Sequence, residues 1–331
     1  MPIYLTQPGS ILKAKRQVFE VWYRQQLQHR LQAKLTSHIV VFQGCELSGE
    51  ATALALSHSL PVLFLDAGDR YLGRLHLEPD AKYLPQQLQL ASDPQFLQST
   101  SERIVSATLH NRRALLLSLT SCGCPTVEIA CEAIELFLDE IPTLPIEQLR
   151  RHLAAINQVY YPALREWLWL NAGSKPAAVN NLLHLGQALL EQVGLGMVLE
   201  MGLHPDIGGL HRSDGDNLPL VRDLMLEWSV VLVDVVTLQV ALSHLGDSSN
   251  GNGKTSPAIH FITTWEQQLA TVATGNKTYR QCLWHQIRHY QRCLWGNTPY
   301  RPALLKWTPK LMSETPIQPQ TVTNLAAVSL V

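Results

Sequence analysis

The segment GLHPDIGGLHRSDGDNLPLVRDLMLEW, Gly202 to Trp228, ends a glycine-rich corner on His211, crosses a polar turn, and sets Asp223 in the first turns of the next helix. An imidazole and a carboxylate presented to one point from two rigid elements can serve a divalent cation. Taken alone, such a pair is more often a structural hydrogen bond. Gly253-Lys254-Thr255 has the ending of a phosphate loop, but the first glycine of that motif is replaced by Ser248, and an apolar helical run rather than a strand leads into it. A surface loop is the expectation there. Cys122, Cys124 and Cys131 lack an evident fourth ligand and paired CxxC knuckles, so they are read as small buried hydrophobes instead of a metal site. Trp284, Arg288, Arg292 and Trp295 recur at helical spacing. Such a stripe can hold a nucleic-acid strand, and a packed Trp face with a solvated Arg edge is the plainer reading.

The elements that must position these residues fall into two kinds. Up to about residue 80 the chain reads as β-structure, with short apolar or alternating runs at Pro2–Thr6, Val18–Tyr23, Leu27–Lys34, His38–Gln43, Pro61–Asp66 and Tyr71–His76 and one helix near Gly49–Ser57. Beyond it, apolar residues recur every three or four positions through Pro94–Leu119, Thr126–Glu140, Ile146–Leu168, Ala178–Met201 and Leu218–Leu245, which is helical texture. The fold class is therefore α+β: a small N-terminal β-domain over 1–80, a larger all-helical domain over 81–310, and a polar, Pro-containing tail over 311–331.

Composition bounds the rest. At 331 residues, 46% apolar and 16% charged, the chain has room for two cores, and its sparse charge contrasts with the roughly 25% of an average soluble protein. A formal charge of −1 predicts no general attraction to nucleic acid, which leaves a local basic groove as the only electrostatic route to it. Trp228–Leu245 is apolar, but Asp234, Gln239 and His244 interrupt it at barely bilayer-spanning length, so a buried core helix is expected and no membrane. The six scattered cysteines and the opening MPIYLTQPGS, with no basic-then-apolar leader, fit a reduced, cytoplasmic protein.

A set of collinear blocks goes further. Ile3-Tyr4-Leu5-Thr6-Gln7-Pro8-Gly9-Ser10, His38-Ile39-Val40-Val41-Phe42, Leu60 through Leu65, and Arg70-Tyr71-Leu72-Gly73-Arg74-Leu75 are followed by Ile104-Val105 through Asn111-Arg112-Arg113. Val179-Asn180-Asn181-Leu182-Leu183, Gly202-Leu203 through Gly209-Leu210-His211-Arg212, and Asp223-Leu224-Met225 complete the series. In order and spacing the chain resembles the CRISPR spacer-acquisition integrase/endonuclease family, the first-numbered CRISPR-associated protein, nearly as far as Pro302. The resemblance implies a β-sandwich that forms a homodimer, and a helical domain with a Mg²⁺- or Mn²⁺-dependent site built on His211 and Asp223. It also implies double-stranded DNA as substrate and the small second-numbered CRISPR-associated protein as partner. In that family the 3′-hydroxyl of a captured DNA fragment attacks a phosphodiester of the CRISPR repeat, with metal polarising the phosphate.

Two carboxylates that the resemblance calls for are missing. The family's Glu stands seven residues before an aromatic pair, here Tyr160-Tyr161, and that position is Leu153; the acidic residue expected three after Asp223 is Leu226. Leucine has no lone pair, so His211 and Asp223 alone are expected to hold metal at roughly millimolar affinity or weaker. Glu227 offers a rescue as a third ligand, being roughly 40° from Asp223 around a helix. Near Leu153, Glu147 lies off the face and His152 points away. DNA contacts look thinned too: Asn171 to Ala177 lacks the relatives' arginines, and Thr108 replaces a common Lys, which leaves Asn180, Arg212, Arg288 and Arg292 as candidates. The leading expectation is a family member with impaired phosphodiester chemistry, supporting a complex whose chemistry an intact relative performs. The rivals are an active nuclease using His211, Asp223 and Glu227, and a non-catalytic DNA-binding or interaction subunit.

Overall fold

The computed structural model describes residues 1–77, 81–120, 123–212, 218–245, 256–295 and 298–303. The first part holds β1 (Ile3–Leu5), β2 (Ser10–Lys15), β3 (Val18–Tyr23), β4 (Gln26–Gln32), β5 (Ile39–Val41), β6 (Glu46–Leu47), α1 (Gly49–Ser57), β7 (Val62–Leu65) and β8 (Tyr71–Leu75). They make two four-stranded sheets, ordered β1-β5-β7-β8 and β4-β3-β2-β6. In the first, β1, β5 and β7 run parallel with Ile3 opposite Ile39 and Ile39 opposite Val62, and β8 closes the edge antiparallel. Strands buried on both faces read as unbroken apolar runs, and IYL, IVV and VLFL are of that kind. Ile3, Leu5, Ile39, Val41 and Val62 face Leu12, Phe19 and Val21 of the second sheet, while the alternate residues Tyr4, Val40, Leu63 and Leu65 join the core of the helices. The sandwich and the helical body thus share one sheet.

The helices are α2 (Leu84–Ala91), α3 (Pro94–Leu119), α4 (Pro125–Glu140), α5 (Ile146–Ala172), α6 (Pro176–Glu200), α7 (Pro219–Met225), α8 (Val235–Val240), α9 (Pro257–Ala270) and α10 (Tyr279–Cys293). Between α9 and α10 lies a small hairpin of β9 (Val272–Thr274) and β10 (Lys277–Thr278). Local chemistry sets their ends. Asp93 caps α3, its Oδ1 accepting the Gln95 and Phe96 N–H at 2.9 and 3.3 Å, and Pro94 fills the first helical position. Gly173, at φ 61°, closes α5 with the left-handed turn that glycine permits.

The run from Leu218 to Leu245 is not one straight helix. After α7 come a 3-10 turn (Leu226–Trp228) and a π-helical segment (Val230–Asp234), and the two halves meet at 67°. Trp228 and Val230 to Val236 are buried, so apolarity here marks the centre of the molecule. Among the described residues one helix, α6, is by itself long and apolar enough to cross a membrane, and 67% of its apolar window is buried in the fold. The loop 253–255 with Ser248, the 311–331 tail, Cys122 and the side chain of His244 lie outside the described residues.

Candidate functional site

The site grows from the corner between α6 and α7. Gln87 of α2 grips the corner's start, its Oε1 accepting the His204 N–H at 2.7 Å and its Nε2 donating to the His204 carbonyl at 3.1 Å. Gly208 follows where a Cβ would lie 2.7 Å from the Pro219 backbone, so only glycine lets the corner close on α7. Asp223, 3% exposed, then gathers the next three amides. Its Oδ2 accepts the Gly209 and Leu210 N–H at 2.6 and 2.9 Å, and its Oδ1 accepts the His211 N–H at 2.8 Å and the His211 Nδ1–H at 2.7 Å. From the opposite side Arg150 of α5 donates to the carbonyls of Gly209, at 2.8 Å, and Leu210. The corner is clamped at its amides by an anion and at its carbonyls by a cation.

These bonds decide what His211 can do. With Nδ1 donating to Asp223, the imidazole is oriented and its Nε2 is the end available for hydrogen bonding or proton exchange. His211 lines a cavity of about 420 Å³ between α3, α5, α6 and α7. Leu226 forms part of its wall, Asn157 and Tyr161 another, and Arg112, Arg165 and Arg222 bring three guanidinium groups to it. Arg165 donates to the Asn180 Oδ1 at 3.2 Å, and Arg222 pairs with Glu191 at 3.3 Å. Pro162, inside α5, has no N–H to give the Gln158 carbonyl, and both residues border the cavity.

Glu227 is elsewhere. It is fully buried, its Oε1 taking the Tyr300 hydroxyl at 2.7 Å and its Oε2 the Ala303 N–H at 2.8 Å. The same strap, residues 298–303, is held by Arg103 on the Tyr300 carbonyl at 2.6 Å and by Gln286 on the Arg301 carbonyl at 2.8 Å. Burial pushes the Glu227 carboxyl up to about 8 against the pull of its two donors. Asp234, in the π-helical segment, accepts the Tyr160 hydroxyl at 2.7 Å and is pushed by burial to about 7.

The structure therefore brings His211, Leu226 and Asn180 to one cavity, with Asp223 bonded to His211, and places Leu153 in the helical core one turn before Asn157. Among the described residues no three His, Cys, Asp or Glu side chains converge as a metal site would require. A carboxylate offers about four lone-pair positions, and four N–H donors occupy those of Asp223. The donor set at this cavity does not fit a Mg²⁺ or Mn²⁺ ion. Of the remaining candidates, Arg212 is exposed and pairs with Glu147; Arg288 is exposed, with its Cζ 5.0 Å over the Trp284 ring, and Arg292 is exposed. His152 is turned to Glu140, at 3.1 Å. Cys45, Cys124, Cys131, Cys282 and Cys293 are free thiols, with Cys124, Cys131 and Cys293 buried. Sequence reasoning did not find Arg112, Arg150 or Arg165 as parts of the site. Asn111-Arg112-Arg113 enters the sequence reading only as a block of the family resemblance, and the fold reveals that Arg112 turns inward.

Comparison with known proteins agrees with this architecture. The family described as CRISPR associated protein Cas1 matches residues 3–249, more than half of the chain. The CRISPR-associated endonuclease Cas1 of Mycobacterium tuberculosis is 27% identical over 221 residues, which cover 63% of this chain and 64% of that protein. The chain thus spans just under two thirds of the length of that curated relative. Among solved structures, a Cas1 protein from Thermotoga maritima superposes with a TM-score of 0.71 at 16% identity, covering 92% of this chain and 100% of that one. A chain of a Cas6-RT-Cas1–Cas2 complex gives 0.73 at 15% identity, covering 92% of this chain and 36% of that one. At such identities these two likenesses establish the fold. The β-sandwich sharing a sheet with a helical body is thus the fold this chain has in common with the Thermotoga maritima Cas1 protein. The chain belongs to the Cas1 family, as a divergent member.

Proposed function

We propose that this chain acts in CRISPR spacer acquisition as a DNA-holding Cas1-family subunit whose phosphodiester chemistry is impaired. The observation that carries the proposal is the state of Asp223, whose four acceptor positions are spent on the corner's N–H groups while Leu226 and Leu153 stand where the family resemblance calls for carboxylates. His211 and Asp223 are then a rigid hydrogen-bonded pair at the wall of a cationic cavity. The chemistry that Mg²⁺ or Mn²⁺ supplies in the family falls to an intact relative in the same assembly. The assembly comprises a homodimer of this chain, double-stranded DNA and the second-numbered CRISPR-associated protein, in keeping with the Cas1–Cas2 content of the complex named above. Asn180 and Arg212 beside the corner, with Arg288 and Arg292 on α10, contact phosphates.

Purified full chain mixed with Mn²⁺ and linear or branched DNA tests this directly. The expected result is retarded DNA without strand transfer or cleavage above a metal-free control, with a salt slope that drops by about 1 for each phosphate-contacting arginine replaced by alanine. Robust strand transfer that His211→Ala abolishes would refute the reading.

A further inference from the structure

Two helices turn opposite chemistries to the outside. α4 carries Glu128, Glu132, Glu135, Asp139 and Glu140 and no Lys or Arg. Glu128, Glu132, Glu135 and Asp139 are exposed and follow the i, i+4, i+7, i+11 rhythm of one helix stripe, and Ile129 and Leu136 beside them are 58% and 68% exposed. Among the described residues only Glu135, on Arg113, and Glu140, on His152, have an ion-pair partner within this stretch. Carboxylates so spaced repel one another and repel DNA, so whatever covers this face is cationic. α10 supplies that chemistry, with Arg280, Arg288 and Arg292 and no Asp or Glu. Trp284, Arg288 and Arg292 stand four residues apart on one stripe, and Trp295, just past the helix end, is 55% exposed. Arg280 pairs with Glu266, whereas Arg288 and Arg292 are exposed and have no carboxylate partner among the described residues; the Arg288 guanidinium lies over the Trp284 ring instead. Glu128 to Asp139 and Trp284 to Trp295 are each eleven residues apart, about 16 Å along a helix. Within one copy α4 packs on α3 and α5, and α10 on α6 and α9, so both stripes remain open.

We propose that the α10 stripe of one copy docks on the α4 stripe of another, with Arg288 and Arg292 among the carboxylates and the Trp295 indole against the apolar side chains between them. An arginine fork meets a carboxylate with two N–H groups at once, and the indole gives the contact an apolar centre. Because the two faces differ, the contact is head-to-tail: every copy offers both, and the assembly grows past a dimer unless it closes into a ring. One helix pair covers less than the roughly 800 Å² per partner of a stable interface, so the contact is weak, reversible and sensitive to salt. Phosphates of bound DNA take the same two arginines, so a duplex and a second copy exclude each other at α10. This exclusion rests on the DNA-holding reading; the docking itself does not.

Sedimentation velocity of the full chain over a concentration series tests the docking. At roughly 25 mM salt the mean mass is expected to climb past that of a dimer as concentration rises, and at roughly 300 mM to fall back. Glu132→Lys and Arg288→Glu should each weaken the association by about tenfold or more, and the two combined in one chain should return it to within about threefold of the parent. Arg288→Glu combined with Glu46→Lys has the same net charge but its lysine on exposed β6, and should not restore it. Mass that ignores concentration at low salt, single variants within about twofold of the parent, or equal recovery in both double variants overturns the docking. Loss in Glu132→Lys with Arg288→Glu unchanged overturns it too, since α4 then takes a different basic segment. A short DNA duplex in excess should disperse the low-salt assembly. Assembly that persists on bound duplex leaves the docking in place and removes Arg288 and Arg292 from the DNA contacts, and assembly by a chain that binds no duplex leaves the docking and removes the DNA-holding reading.

Discussion

Asp223 is a small case of one carboxylate being asked for two things. It can organise a peptide corner or bind a cation, and four short hydrogen bonds commit it to the first. Asp223→Asn would set an amide NH₂ against two N–H groups, so a loss of about 2–4 kcal/mol is expected in denaturant unfolding of the metal-free protein. A carboxylate whose purpose was a cation would show little loss in that measurement. Glu227 and Asp234 give the protein a pH signature. Their folded values of about 8 and about 7 lie above the ordinary 4.5 and 3.8. Between the ordinary and the raised values the folded state binds more protons than the unfolded chain, so stability falls as pH rises through that window and levels off above it. Glu227→Gln should remove its share of the slope between pH about 5 and about 8, read from unfolding at a series of pH values.

Elements, more than residues, were legible beforehand. Val18–Tyr23, Gly49–Ser57 and Pro94–Leu119 form with the expected bounds because β-branched and aromatic runs, Ser48 and Asp93-Pro94 are local signals. The strand Ser10–Lys15 is not legible because Lys13 and Lys15 dilute its alternation, and α2 is not because the leucines of LPQQLQLA follow no core-facing period and the side chain it buries is Gln87. The 67° break after Trp228 is invisible in an apolar run, since burial on all sides erases periodicity. For the site, the His211–Asp223 meeting was readable from spacing against a family pattern. The inward turn of Arg112 and the spent acceptors of Asp223 arise from tertiary packing alone. At this scale the corner depends on Gly208, and Gly208→Ala should push it off Pro219 and cost about 1–3 kcal/mol, with the His211 Nδ1–H resonance losing its hydrogen-bonded shift in NMR spectra.

Across the whole molecule, the sheet β1-β5-β7-β8 is the wall between two cores and belongs to both. Polar ties reinforce it: Tyr4 donates to Glu266 at 2.6 Å, Glu266 pairs with Arg280 at 2.8 Å, and Gln192 of α6 joins Arg74 of β8 to the Pro61 carbonyl, both at 2.8 Å. Neither part keeps a complete interior without the other. Heating should therefore give one cooperative transition, with a calorimetric to van't Hoff enthalpy ratio of about 1, and two resolved peaks would contradict a shared wall.

The strap of residues 298–303 also sets a practical boundary for anyone trimming the chain. Cutting ahead of Tyr300 would strip the phenol and the amide from Glu227 and strand an acid in a dry interior beside the helix that carries Asp223. A terminus placed just after Ala303 keeps that plug seated, and a dye or purification handle attached there would sit at the doorstep of the His211 corner's own supporting helix.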